Sequence, residues 1–288
     1  MRTICLLIAA VLLLGGEKSF AQGTDAPRLV TITDLQMRVW SAGIDQRKAG
    51  APVIALEAGS GADLDTWKPV FDDLARLAPV IAYDRLGLGQ SAADPKTPTL
   101  SRNVETLHDV LQAIAPPPYV LVGHSLGGVI IRGFAHQFPA ETAGMVYLDV
   151  PDFEATREER AALLSGEARE RALKPPVLPE IPADTPAKVR PVYEQLLIEM
   201  RDDFASARGW RQPANIPVGV IVTARSDRLR GDGAAMVQLQ IQHQMQWTLG
   251  SPSGLFTVAG HTGHQVHRDD PALVVSMIKH VLDRAATK

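Results

Sequence analysis

The stretch VLVGHSLGGVIIRGFA, residues 120–135, places one serine among glycines between two apolar flanks. Gly123, Ser125 and Gly127 form the pattern G-x-S-x-G. The first flank predicts a buried strand and the second a helix, and in that setting the pattern presents a nucleophile. The turn strains the serine backbone and exposes the hydroxyl, and the glycines avoid collision with the neighbouring strand and helix. We predict that Ser125 is a nucleophile and not part of an incidental turn.

A serine hydroxyl is a weak nucleophile near neutral pH, so it needs a general base. The stretch AGHTGHQVHRDDP near the C-terminus offers His261, His264 and His267. His264 lies in a predicted loop after a strand and ahead of Pro271, which opens the last predicted helix. We predict that His264 is the base and that the other two are structural or surface histidines. His124, beside the serine, is predicted to point away from it and to pack.

An acid must orient the imidazole and stabilise its charged form. Asp227 follows the predicted strand VGVIVTA and precedes His264, which gives the order Ser, Asp, His along the chain. We predict Asp227 for this role. Asp149 is the alternative, because the strand that ends in MVYLDV reaches the same edge of the sheet, and Asp232 is a weaker one.

The negative charge that develops during acyl transfer needs two backbone N–H groups facing it. We predict that one is the amide of Leu126, directly after the nucleophile. The other is predicted to be the amide of Ser60 in the loop EAGSGADLDTW, where Gly59 permits close approach. The alternative is that this loop is only a tight turn.

Short apolar runs alternate with amphipathic segments in most of the chain. The predicted strands run into loops in PVIALEAGSG, PVIAYDRLGLG, YVLVGHSLGG, GMVYLDVPD, IPVGVIVTARSD and GLFTVAGHTGH, with helices over 63–78, 101–115, 126–138, 233–249 and 270–285. This alternation predicts an α/β fold, a doubly wound and mostly parallel sheet with helices on both faces. Ligands of such sheets bind beyond the carboxyl ends of the strands, where the residues above lie.

Residues 152–213 break this rhythm, because six prolines fall between Pro175 and Pro191 among charged helical segments. We predict a helical cap inserted between two parts of the core, residues 22–151 and 214–288. The alternative is a surface excursion without substrate contact.

The first residues resemble a targeting segment. Ile4 to Leu14 is an apolar run too short to span a bilayer, and small residues lead to a cleavage site after Ala21. We predict a signal peptide over residues 1–21 and a secreted or periplasmic protein; the alternative is an uncleaved membrane anchor. Removal of the signal also removes Cys5, the only cysteine, so no thiol chemistry is expected.

The balance of charges and motifs excludes several classes of partner. The formal net charge of −3 gives no basic footprint for nucleic acid. No nucleotide-binding loop occurs, and the three C-terminal histidines fit the roles above better than a zinc site. We therefore expect a small-molecule acyl substrate, no metal and no cofactor.

Together these stretches resemble the α/β-hydrolase fold superfamily, in its serine hydrolase or esterase-like branch. The resemblance rests on GHSLGG, YDRLGLGQS, EAGSG with a following tryptophan, RSD and GHQVHRDDP, and it covers nearly all of the chain after the signal. It implies that residues 83–91 shape the edge of the site, so Asp84 and Arg85 receive no chemical role. The chain departs from many members by having Ala58-Gly59 in place of His-Gly. Epoxide hydrolases and haloalkane dehalogenases of this fold have an aspartate where this chain has Ser125.

We therefore expect a serine hydrolase that cleaves an acyl bond, by preference a carboxylic ester, through an acyl-enzyme. Amide, lactone, thioester and activated carbon–carbon substrates stay open. Two other hypotheses remain: a catalytically silent binding protein with this fold, and a cofactor-free perhydrolase or haloperoxidase with the same residues.

Overall fold

The structure is a computed structural model that describes residues 26–286. Within that range eight strands form a single sheet in the order β1-β2-β4-β3-β5-β6-β7-β8. The strands are β1 (Arg28–Ile32), β2 (Leu35–Ala42), β3 (Val53–Glu57), β4 (Val80–Tyr83), β5 (Tyr119–His124), β6 (Thr142–Leu148), β7 (Val218–Thr223) and β8 (Leu255–Ala259). From β4 to β8 neighbouring strands are parallel, and β2 runs antiparallel to both β1 and β4. The predicted mostly parallel α/β sheet is confirmed.

The helices cover both faces of this sheet. They are α1 (Lys68–Leu77), α2 (Leu100–Ile114), α3 (Leu126–Gln137), α4 (Arg157–Ala162), α5 (Gly166–Ala172), α6 (Arg190–Arg201), α7 (Gly233–Leu249), α8 (Val266–Asp269) and α9 (Pro271–Ala285), with 3-10 turns at Leu64–Trp67, Pro139–Glu141 and Ala205–Ala207. Side chains of β5 alternate between two apolar clusters: Tyr119 and Leu121 pack with α2 and α3, and Val120 and Val122 with α1 and α9. This alternation is the period of two expected of a strand covered on both faces.

The antiparallel edge of the sheet has a different local cause. Thr33 and Asp34 join β1 to β2 and both have positive φ, 47° and 68°. Two consecutive residues in the left-handed region form the tight turn whose twist matches a β-hairpin. Neither of these two strands was predicted from the sequence.

The predicted insertion, residues 152–213, holds α4, α5 and α6 between β6 and β7. Its last part packs on loops at the carboxyl edge of the sheet. The Lys188 amine donates to the carbonyl of Gly89 at 2.7 Å, and a Cβ on Gly61 would lie 2.9 Å from the Tyr193 hydroxyl. The segment therefore contacts the loops after β3 and β4, and its role as a cap stays a prediction.

The predicted signal peptide lies outside the described residues. Among residues 26–286, no helix is both long and apolar enough to cross a membrane.

The glycines of the G-x-S-x-G stretch lie where β5 and α3 cross other backbone. A Cβ on Gly127 would lie 2.2 Å from the carbonyl oxygen of Glu57 in β3, and one on Gly123 would lie 2.5 Å from the carbonyl oxygen of Gly127. Backbone atoms cannot give way as the end of a flexible side chain can. The close approach of α3 to β3 therefore requires glycine at position 127, and the close approach of α3 to β5 across the turn requires it at position 123.

We expect Gly127→Ala to lower the free energy of unfolding by about 1–3 kcal/mol, because the added methyl group forces β3 and α3 apart. Urea unfolding followed by circular dichroism measures this change. Gly250→Ala is the matched control, since its Cβ meets no atom within 4 Å and its φ is negative, −81°. Equal destabilisation by both substitutions would contradict the packing argument.

Candidate active site

Ser125 stands at the turn between the end of β5 and the start of α3. Its φ of 51° and ψ of −124° put a non-glycine residue in a sparsely populated region. The neighbouring strand holds it there, because the Ser125 amide donates to the carbonyl of Leu148 in β6 at 3.0 Å. The strained turn leaves the side chain only partly buried at the carboxyl edge of the sheet.

His264 and Asp149 meet at the same edge. His264 lies in the loop between β8 and α8, and its Nδ1 donates to Asp149 Oδ2 at 2.7 Å. The carboxylate of Asp149 is 2% exposed, whereas the imidazole of His264 is 51% exposed. This contact fixes the proton on Nδ1 and leaves Nε2 of neutral His264 as the nitrogen able to accept a proton.

The buried carboxylate of Asp149 is held ionised by its neighbours. Burial acts to raise the pKa of Asp149, but the hydrogen bond to His264, the charge of Arg228 and the amide of Thr223 lower it by more. The Thr223 amide donates to Asp149 Oδ1 at 3.0 Å. The net pKa lies below the ordinary value, as an acid that orients a histidine requires.

Asp227, the aspartate preferred from the sequence, does not contact His264 in this structure. Its exposed carboxylate accepts from Arg225 Nε at 2.9 Å and Nη2 at 2.8 Å, and this pairing lowers the pKa of Asp227 to about 2. The loop after β7 therefore turns Asp227 toward solvent, and the alternative, Asp149 after β6, is the aspartate that meets His264. Asp232 also lies elsewhere, at the start of α7 and 3.6 Å from Arg171.

The other histidines near the turn are placed differently. His124 is buried, and its Nε2 donates to the carbonyl oxygen of His264 at 2.8 Å, which holds the His264 loop against β5. His267 is fully buried and its Nε2 lies 2.8 Å from the Thr66 hydroxyl. Burial lowers the pKa of His124 to about 4 and that of His267 to about 3. His261 is exposed and pairs with a surface aspartate.

Arg85 holds the predicted oxyanion loop in place by hydrogen bonds to its carbonyl groups. This buried arginine donates through Nη1 to the carbonyl of Ala58 at 2.6 Å and through Nη2 to the carbonyl of Gly59. Since C=O and N–H point in opposite directions across a trans peptide, the amide of Ser60 points away from Arg85. Gly59 adjoins the nucleophile, because its Cβ would lie 3.4 Å from Ser125 Cβ.

The positive charge of buried Arg85 is paired with the carboxylate of Glu57. Its Nη1 lies 2.6 Å from Glu57 Oε1, and the Tyr83 hydroxyl donates to Glu57 Oε2 at 2.6 Å. Burial raises the pKa of Glu57, and Arg85 opposes that shift. No chemical role was assigned to Arg85 from the sequence, and this support of the loop was missed; the signal was the position of Arg85 two residues after the end of β4.

The second candidate donor is the amide of Leu126, the first residue of α3. Amides in the first turn of a helix have no partner within the helix, and the helix end favours negative charge. The arrangement can therefore place a hydroxyl, an oriented imidazole and helix-end amides around one reacting carbonyl. Among residues 26–286, no group of three or more His, Cys, Asp or Glu side chains could hold a metal ion.

Comparison with known proteins agrees with this architecture. Over 105 residues the chain is 37% identical to the uncharacterised protein YqjL of Bacillus subtilis, a match that covers 36% of this chain and 42% of that protein. It is 27% identical to 2-succinyl-6-hydroxy-2,4-cyclohexadiene-1-carboxylate synthase of Klebsiella pneumoniae over 85% of this chain and 99% of that one. The chain thus spans less than half of YqjL and almost all of the synthase.

Solved structures show the same fold. The epoxide hydrolase VrEH1 from Vigna radiata superposes with a TM-score of 0.62 at 15% identity, covering 90% of this chain and 98% of that one. Residues 54–277 match the profile of the Alpha/beta hydrolase family, well over half of the sequence. The chain therefore belongs to the alpha/beta hydrolase family.

Proposed function

We propose that this protein is a serine hydrolase that cleaves carboxylic esters of small molecules through an acyl-enzyme. The observation that carries the proposal is the 2.7 Å contact between His264 Nδ1 and Asp149 Oδ2, at the sheet edge that also holds the strained Ser125. A hydrolase activity in general follows from the family; the triad and the ester substrate are the proposal.

In the first half-reaction the Ser125 hydroxyl oxygen attacks the ester carbonyl carbon, and His264 Nε2 takes the hydroxyl proton. The carbonyl oxygen becomes an oxyanion that accepts hydrogen bonds from the amides of Leu126 and Ser60. Asp149 stabilises the imidazolium through Nδ1–H. The carbon–oxygen bond to the alcohol then breaks, and His264 returns the proton to the departing alkoxide.

In the second half-reaction water replaces the alcohol. His264 Nε2 takes a proton from water while the water oxygen attacks the acyl carbon on Ser125. Collapse of this second oxyanion breaks the bond to Ser125, which recovers its proton from His264, and the carboxylic acid leaves. Atoms balance over the cycle: one ester and one water give one acid and one alcohol.

An ester is preferred over an amide because an alcohol leaves with less assistance than an amine. The names of the relatives do not decide this, because they include a synthase and an epoxide hydrolase. Epoxide hydrolysis is not part of the proposal, because position 125 holds a serine and not the aspartate expected of epoxide hydrolases with this fold.

The binding site is proposed to lie between the Ser125 turn and α6. The support is the position of Tyr193 on α6, whose hydroxyl adjoins Gly61, two residues after Gly59 in the candidate oxyanion loop. A small acyl substrate bound there would contact the insertion and the sheet edge together. In this proposal residues 152–213 act as a cap that selects the substrate.

We expect Ser125→Ala to lower kcat/KM on p-nitrophenyl acyl esters by at least about a thousandfold, since the nucleophile is lost. A panel of acyl lengths measured by release of p-nitrophenol checks this, with thermal unfolding as the control for folding. Labelling of the wild-type protein, but not of Ser125→Ala, by a fluorophosphonate is the matching chemical result. Unchanged turnover in the variant, or no labelling of Ser125, would favour the binding-protein hypothesis instead.

Two matched amide substitutions distinguish the candidate acids. We expect Asp149→Asn to lower kcat/KM by about a thousandfold or more, because His264 loses the acceptor that orients it. Asp227→Asn should change kcat/KM less than about threefold, since its exposed pair with Arg225 contributes little. If Asp227→Asn lowered kcat/KM more than Asp149→Asn did in the same ester assay, Asp227 would be the residue that orients His264.

Export is also part of the proposal, and it rests on the sequence of residues 1–21 alone. Expression in a Gram-negative host followed by intact-mass measurement of the periplasmic fraction tests it. The expected mass corresponds to a chain that begins at Gln22. An uncleaved chain in the membrane fraction would support the anchor alternative.

A further inference from the structure

The carboxylate of Asp149 has a second neighbour besides His264, and this one carries a permanent positive charge. Nη1 of Arg228 lies 2.9 Å from Asp149 Oδ1 and 3.1 Å from Oδ2. The guanidinium therefore contacts both oxygens, including the one that accepts from His264 Nδ1. A charge placed there acts on the same hydrogen bond that the proposed mechanism needs.

Arg228 is fixed in this position by groups other than the aspartate. Its Nη1 lies 2.7 Å from the Thr223 carbonyl and 2.6 Å from the Thr223 hydroxyl, and its Nη2 donates to Gln240 Oε1 at 3.3 Å. Gln240 is buried in α7 and donates in turn to the carbonyl of Val150, next to Asp149, at 2.7 Å. Elements β7 and α7 thus hold the guanidinium against the end of β6, and the arginine is not a loose surface charge.

We propose that Arg228 is a positioning residue that aims the Asp149 carboxylate at His264 and keeps His264 able to accept a proton at lower pH. The inference rests on the proposed function for its catalytic consequence. The effect on His264 itself is a property of the folded protein and can be measured without activity.

The direction in which loss of Arg228 should move proton uptake follows from the charges around the carboxylate. An imidazolium on His264 is stabilised by the negative charge of Asp149, and a guanidinium on the same carboxylate opposes that stabilisation. Arg228 also disfavours protonation of Asp149, because a nearby positive charge favours the ionised carboxylate. Loss of Arg228 therefore makes both groups take up a proton at higher pH, and the two effects have the same sign.

The other titratable groups around His264 do not supply this charge. The ring of His124 lies 4.7 Å from that of His264, and His267 lies 4.7 Å beyond His124. With pKa values lowered to about 4 and about 3, chiefly by burial, both are neutral where an esterase assay is run.

Two further charges lie beside the loop that carries His264. The Gly263 amide donates to Asp269 at 2.7 Å, and Arg225 Nη1 would lie 3.0 Å from a Cβ on Gly263. Arg225 is paired with Asp227 and half-exposed, so solvent and its partner screen its charge. It contacts neither oxygen of Asp149 in the hydrogen bonds described, which makes it the matched control for Arg228.

The test compares Arg228→Gln, Arg228→Lys and Arg225→Gln with the wild-type protein. In Arg228→Gln the acidic limb of the kcat/KM profile should move to higher pH by about 0.5–1 unit, from loss of one neighbouring charge. Its plateau should fall by roughly tenfold, from looser orientation of the acid. Arg228→Lys should keep the acidic limb within about 0.3 unit of wild type, because the charge remains. It should lose part of the plateau, because lysine lacks the second nitrogen that donates to Gln240. Arg225→Gln should move the limb by less than about 0.2 unit.

Three results would overturn the inference. In the first, the acidic limb of the kcat/KM profile stays at the wild-type pH in Arg228→Gln. In the second, Arg225→Gln shifts that limb as far as Arg228→Gln does. The third is an Arg228→Lys profile that equals wild type in both limb and plateau. If thermal unfolding shows that Arg228→Gln does not fold, the plateau of kcat/KM in Arg228→Lys still tests the positioning role, because a wild-type plateau there would contradict it.

A nuclear magnetic resonance titration separates failure of this inference from failure of the proposed function. The Cε1–H signal of His264, assigned by its loss in His264→Gln, reports the pH midpoint of proton uptake in each variant without substrate. A higher midpoint in Arg228→Gln together with no Ser125-dependent ester hydrolysis would uphold the electrostatic role and reject the proposed function. Ser125-dependent ester hydrolysis with an unchanged midpoint in Arg228→Gln would uphold the proposed function and reject the electrostatic role of Arg228.

Discussion

The arrangement at the carboxyl edge depends on one buried charge, the carboxylate of Asp149. An isolated carboxylate is strongly destabilised away from water unless it is paired and hydrogen-bonded. Here the loop after β8 supplies His264, the loop after β7 supplies Arg228 and β7 itself supplies the Thr223 amide. Satisfying this charge ties the loop after β7 and the loop after β8 to the same carboxylate.

The order of strands makes this convergence possible. The strands β5, β6, β7 and β8 are consecutive neighbours in the parallel half of the sheet, so their carboxyl ends form one row. Ser125 follows β5, Asp149 follows β6, Arg228 follows β7 and His264 follows β8. Positive φ at Ser125 and at Asp149, 51° and 44°, turns the chain sharply as it leaves each of the two strands. Backbone strain at these two residues is therefore localised where two of the site's side chains are presented.

The strands from β3 to β8, the longer helices packed on them and the turn at Ser125 were readable from local pattern, because apolar runs, glycine spacing and helix periodicity are local properties. Which aspartate meets His264 was not readable in this way. Asp149 and Asp227 both follow buried strands, and the rule based on chain order cannot say which loop turns its carboxylate inward. That depends on Arg225, which draws Asp227 outward, and on the burial of Asp149 beside β7, and both are contacts between separate segments. The support of the candidate oxyanion loop by Arg85 was missed for the same reason, since its partners Ala58 and Gly59 lie in the loop after another strand, β3.

The contact between His264 and Asp149, which follows β6, leaves the loop after β7 free for another task. Its side chain Arg228 contacts both carboxylate oxygens of Asp149, including the one that accepts from His264. In this chain the sequence ARSDR places Arg225 and Arg228 around Asp227, and the turn sends Asp227 to solvent with one arginine while the other faces inward. An arginine cannot lose its charge in this pH range, so the ion pair with Asp149 persists wherever the carboxylate is ionised. The carboxylate of Asp149 is therefore shared between two partners, the guanidinium of Arg228 and the imidazole of His264.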